Sequence, residues 1–189
     1  YLEQMMRGVK TEGYIYLVLF GLSIPIANWM IGNVGTFCVP DGPCIIPVGF
    51  GLTAPSGVLV VGLAFVLRDL VQRRLGTWWA VAAILIGAGL SAFLAPPALV
   101  MASGTAFLLS EFADFAVYTP LQRKRLILAV FASSLVGLVI DSIVFLYLAF
   151  GSLDFLAGQV LGKAWMVLIA LPFIWWLRQA DMKRGIQPA

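Results

Sequence analysis

Six ionisable residues lie inside runs of otherwise apolar sequence: Arg68, Asp69, Glu111, Asp114, Asp141 and Lys163. Each costs about 2.5–3.5 kcal/mol at the centre of a membrane helix, so such residues are paired or functional. Glu111 and Asp114 stand at i and i+3 and share a helical face. Two carboxylates so close repel, and the pattern predicts that one of them holds a proton. Asp141 interrupts SSLVGLVIDSIVFLYLAFG, with Gly137 and Ser134 one and two turns before it on the same face. Lys163 has Gln159 one turn before it and is a candidate buried partner for Asp141. Arg68 and Asp69 read as a pair near the cytoplasmic end of their span, with a snorkelling arginine.

Four acids against two bases leave this set formally at −2. Such an interior invites protons, a cation or a ligand rich in hydrogen-bond donors, and it reads as a transport site. Carboxylates accept pairs of N–H donors, and Asn28 supplies both a donor and an acceptor. Trp29, Phe112, Phe115 and Trp165 offer flat apolar faces. Together they suit a planar heterocycle with several N–H groups. Taken singly, an aromatic residue in a membrane helix more often faces lipid or the interface than a ligand.

The elements that must position these residues are membrane helices. Of 189 residues, 61% are hydrophobic and 11% charged, where a globular domain has about 25% charged. Six runs approach the ~20 apolar residues needed to span a bilayer: Tyr14–Val34, Leu52–Leu70, Trp78–Leu94, Ala98–Tyr118, Leu126–Phe150 and Phe155–Leu177. The expected fold is all-α, a polytopic bundle of six transmembrane helices forming one domain over residues 1–189. The first run is too long for a signal-peptide core and reads as a retained span.

Ten cations fall before the first run, between runs two and three, between runs four and five, and after the sixth. The positive-inside rule then puts both termini in the cytoplasm. The net charge of +3 reads as topology, and no nucleic-acid partner is expected. Histidine is absent and no ligand cluster is spaced for a metal, so neither a metal nor a cofactor is expected. Cys38 and Cys44 flank a Pro-Asp-Gly-Pro turn in the loop after the first run, and a disulfide or two free thiols both fit. That loop carries Phe37, Ile45, Ile46, Val48 and Phe50, which predicts that it folds back on the bundle. Pro25, Pro55 and Pro172 are candidate kinks, and clustered glycines are candidate helix crossings.

The segments Ile26-Ala27-Asn28-Trp29, Phe65-Val66-Leu67-Arg68-Asp69-Leu70 with Leu75-Gly76, Ala102 to Asp114, Gly137 to Ser142, and Gly162-Lys163 resemble, in this order, the queuosine precursor transporters, or vitamin uptake transporter (VUT) family. The resemblance covers nearly the whole chain. It implies a six-helix inner-membrane protein importing 7-deazaguanine compounds without an attached ATPase. Asn28, Glu111, Asp114, Asp141 and Lys163 would line the substrate site, with Phe112 and Trp165 beside them and Arg68 and Asp69 in support. Gly62, Arg68, Leu75 and Leu138 depart from the family's pattern and bear on substrate identity. Membrane lipid is an implied partner, and a homodimer stays open.

Three other functions compete with secondary transport: a substrate-capture subunit of an ATP-driven uptake system, an intramembrane aspartyl enzyme, and a purely structural membrane protein. The enzyme is disfavoured because Glu111 and Asp114 share one helix and do not face each other.

Overall fold

The computed structural model describes residues 2–188. Its elements are α1 (Leu2–Asn33), β1 (Phe37–Cys38), β2 (Cys44–Gly49), β3 (Leu52–Pro55), α2 (Val58–Leu75), α3 (Thr77–Leu94), α4 (Val100–Leu121), α5 (Leu126–Phe150) and α6 (Leu156–Arg184). Five helices, α1, α3, α4, α5 and α6, are long and apolar enough to cross a membrane. The chain is a multi-pass membrane protein on that ground.

The second expected span is corrected. Residues Leu52–Pro55 form a strand, which takes Pro55 out of the helix, and α2 runs instead from Val58 to Leu75. A short apolar stretch looks the same to a hydropathy window whether it is strand or helix. α2 also falls below the apolar composition of the other five because Arg68, Asp69, Arg73 and Arg74 lie in its 18 residues. Its neighbours make this tolerable. α2 packs on α1, α3, α5 and α6, and 13 of its 18 residues are buried, so protein rather than lipid surrounds its charges.

Both described chain ends lie at one end of the bundle. Glu12 of α1 meets Arg74 of α2 at 2.9 Å and approaches Arg184 of α6 at 3.9 Å. At the opposite end, β1–β2–β3 form an antiparallel sheet. Cys38 and Cys44 are register partners across β1 and β2 and are joined by a disulfide. Between them Asp41 takes a positive φ of 55° in the Pro-Asp-Gly-Pro turn, a conformation to which Asp is better suited than most residues.

The sheet folds back on the bundle, as the loop's apolar content predicts, but not with all of that content. Val48, Ala54 and Val58 form a small core with Leu161 at its edge, whereas Phe37 and Phe50 are exposed. Ser56 Oγ donates to the Met30 carbonyl at 2.7 Å, and the Trp165 indole N–H donates to the Val48 carbonyl at 2.7 Å. α6 can approach because Gly158 faces the Thr53 carbonyl directly.

α2 crosses α6 at close range. A Cβ at Gly62 would overlap the Lys163 carbonyl, which is backbone and cannot rotate aside. Gly62→Ala is therefore expected to separate the helices and cost about 1–3 kcal/mol. Gly89→Ala, where a Cβ meets nothing within 4 Å, is expected to be neutral or to gain up to ~1 kcal/mol from helix propensity. Unfolding of both variants in the same detergent checks the contrast.

Candidate functional site

Charged and polar side chains gather at three levels along the bundle. The central level is built on Arg68, whose side chain is fully buried, as are Asp69 and Asp114. Arg68 Nη2 pairs with Asp69 and with Asp114. Its Nη1 donates to Gln72 Oε1 at 2.7 Å, and its Nε lies 3.4 Å from Glu111 Oε2. The guanidinium lies by the Phe115 and Tyr118 rings, with Cζ 5.8 and 5.5 Å from their centroids. Gln72 is held in turn by Thr119 at 2.9 Å, and Ser133 of α5 donates to Asp69 Oδ2 at 3.0 Å.

Helical spacing explains this convergence. Glu111, Asp114, Phe115 and Tyr118 stand at i, i+3, i+4 and i+7 and so line one stripe of α4. Arg68 and Gln72 stand at i and i+4 on α2. Gly137 lets α5 close on both, because a Cβ there would press on the Phe65 ring and the Asp114 side chain.

One expectation is corrected at this level. Arg68 does not snorkel beside a single carboxylate: three acids from two helices surround it. Glu111 and Asp114 both face the Arg68 guanidinium.

The second level lies toward the sheet. Lys163 Nζ donates to Asp141 Oδ2 at 2.6 Å, Ser142 Oγ at 2.8 Å and Gln159 Oε1 at 3.2 Å, which uses all three ammonium hydrogens. Lys163 is 2% exposed, and the Asp141 side chain is 15% exposed. Asp141 and Ser133 are separated by eight residues of α5, about 12 Å along the axis. The six ionisable residues thus form two clusters that meet α5 at different heights, at Ser133 and at Asp141. Buried Ser134 lies between them, and its hydroxyl has no hydrogen-bond partner among the described residues.

The third level, near the chain ends, joins Arg73 and Arg74, which sequence reasoning treated only as topology signals, to Asp181, which it passed over. Asp181 accepts from Arg73 Nε and Nη2 at 2.9 and 2.7 Å, and from Arg74 Nη1 and Nη2 at 3.1 and 2.9 Å. It is 2% exposed. The available signal was a lone acid among the cations after the sixth run, four residues before Gly185.

The remaining candidates sit apart from these ion clusters in their hydrogen bonding. Asn28 is half-buried and donates to the Ile24 carbonyl of its own helix at 2.9 Å. Phe112 stacks edge-on against Phe115 at 6.4 Å, one ring removed from Arg68. Trp165 holds β2, and Trp29 is exposed. Gln72, Ser133, Ser142 and Tyr118 were missed. Gln72, one turn beyond Arg68, and Tyr118, two turns beyond Glu111, had spacings that could reveal them.

The central level combines three carboxylates, one guanidinium and two aromatic rings, with Glu111 Oε2 and Asp114 Oδ2 buried and without hydrogen-bond partners among the described residues. Chemically, these carboxylates accept a planar set of N–H donors, which here is the Arg68 guanidinium. No group of three or more His, Cys, Asp or Glu among the described residues is arranged to hold a metal ion. A surface groove of 390 Å³ lined by Arg125, Phe131, Leu171 and Arg178 lies elsewhere, between α5 and α6.

No curated protein and no solved structure matches the chain. Residues 91–177, which carry Glu111, Asp114, Asp141 and Lys163, match the model of a transporter family described as "Putative vitamin uptake transporter", in agreement with the resemblance read from the ordered polar residues.

Proposed function

We propose that the chain is a secondary transporter that imports 7-deazaguanine bases, the queuosine precursors, across the inner membrane, with six helices crossing and both termini in the cytoplasm. The observation that carries this reading is the pair of buried carboxylate oxygens on α4: Asp114 Oδ2 has no hydrogen-bond partner among the described residues, and Glu111 Oε2 has only the 3.4 Å approach of Arg68 Nε. A buried acceptor without a donor is costly, about 1–3 kcal/mol, and a ligand with adjacent ring and exocyclic N–H groups offers the donors that remove this cost. Around Arg68, Asp69, Glu111 and Asp114 three acids and one base leave a formal −2, which favours entry of a proton with the neutral substrate. Orientation follows from the clustered cations at the end of the bundle that holds both described chain ends.

Uptake of labelled 7-deazaguanine by cells lacking their own importer tests the reading. Expression of the chain is expected to restore uptake, and Glu111→Gln with Asp114→Asn to reduce it at least about tenfold, the equivalent of ~1.4 kcal/mol. No restoration at verified membrane expression would sink the proposal. Uptake that appears only with a partner ATPase would assign the chain instead as the capture subunit of an ATP-driven system.

A further inference from the structure

Arg68 offers the central carboxylates the same kind of donor edge as the proposed ligand. A guanidinium is a planar N–C–N unit with N–H groups along its edges, and the edge of a guanine-type ring that bears the ring N–H and the exocyclic amine is another. Both can give parallel N–H bonds to carboxylates. Asp69, Asp114 and Glu111 meet the guanidinium along its edges, and Phe115 and Tyr118 provide aromatic surface near it.

We propose that the seat of the Arg68 guanidinium is the ligand seat itself, occupied in the free protein by Arg68 as a tethered competitor, and that the ligand displacing it is a neutral planar ring with a guanine-type donor edge. The identity of the ligand rests on the uptake reading, whereas the seat does not. Arg68 has somewhere to go: Gln72 Oε1 already accepts from Nη1, and the Tyr118 hydroxyl is buried without a hydrogen-bond partner among the described residues. Rotation toward these two keeps the cation paired with oxygen atoms while releasing Glu111 and Asp114. A seat that must first be vacated binds its ligand more weakly by the fraction of time it stands open. Arg68 thereby sets affinity, and it favours release of the ligand by taking its place.

Binding to purified protein in detergent tests this. Arg68→Ala is expected to bind 7-deazaguanine about tenfold more tightly than the unmodified protein. Millimolar guanidinium, compared with tetramethylammonium at equal concentration, should raise the melting temperature of Arg68→Ala, compete with 7-deazaguanine there, and do neither in the unmodified protein. Arg68→Lys keeps a charge but loses the planar fork, so it should also bind the base more tightly, by a smaller factor. Where the unmodified protein binds 7-deazaguanine, equal or weaker binding in both variants overturns the proposal; so, in every case, does an alanine variant indifferent to guanidinium. If the alanine variant does not fold, the lysine variant decides alone. Stabilisation by guanidinium without any binding of 7-deazaguanine would uphold the seat and refute the choice of ligand.

Discussion

Asp181→Ala is expected to destabilise the folded protein by about 3–5 kcal/mol, the cost of removing one partner from a buried ion cluster. Four N–H groups from Arg73 and Arg74 converge on this one carboxylate, and both arginine side chains are at most 6% exposed. Without the acid, two cations remain close together in a protein interior, with Glu12 the nearest source of compensation. Glu12 cannot supply much, because its side chain is 34% exposed and it meets only Arg74 closely. Glu12→Gln is accordingly expected to cost no more than about 1 kcal/mol. The pair separates a pin from an ornament: Asp181 ties α6 to α2, and Glu12 adds α1 at the rim. Denaturant unfolding in one detergent checks both, and a loss below about 1 kcal/mol for Asp181→Ala would show that the cluster does not hold these helices together.

The same residues mark where sequence reasoning stops. Arg73, Arg74 and Asp181 belong to segments 107 residues or more apart, and the cationic bias that identifies their side of the membrane also hides their pairing. Charge placement reports topology because insertion reads each loop separately. It carries no information on which loops meet. The apolar runs, by contrast, were legible because bilayer thickness imposes a length on each helix independently of its partners. That length rule failed at α2, where protein neighbours replace lipid and the helix need not be apolar throughout.

The candidate site was legible in its membership more than in its geometry. Buried charge in an apolar run is conspicuous, so Arg68, Asp69, Glu111, Asp114, Asp141 and Lys163 could all be named from the sequence. Periodicity put Glu111 and Asp114 on one stripe, yet it could not reveal that Arg68 from another helix lies between their carboxylates and Asp69. Partition into two clusters follows from the eight-residue offset between Ser133 and Asp141 on α5. That offset acquires meaning only when the rotation and height of α2 and α6 are known, and those depend on glycine crossings such as Gly62 against Lys163.

The Asp141–Lys163 pair offers the sharpest separation of a structural role from a transport role. Lys163→Met leaves Asp141 without its cation and leaves Ser142 and Gln159 without their donor. The expected cost is about 3 kcal/mol, at the lower end for a broken buried pair because Asp141 retains some exposure. Adding Asp141→Asn removes the orphaned charge, and the double variant is expected to recover to within about 1 kcal/mol of the unmodified protein, since a buried pair and a neutral replacement of similar size are often close in stability. Uptake should not recover with it. Asp141 is the partly exposed member of the pair, at the level between the sheet and the central carboxylates, where an entering proton or ligand N–H would first meet a charge. A double variant as stable as the original but at least about tenfold slower in uptake identifies the pair as part of the transport path. Full recovery of uptake alongside stability would reduce it to a salt bridge that holds α5 to α6.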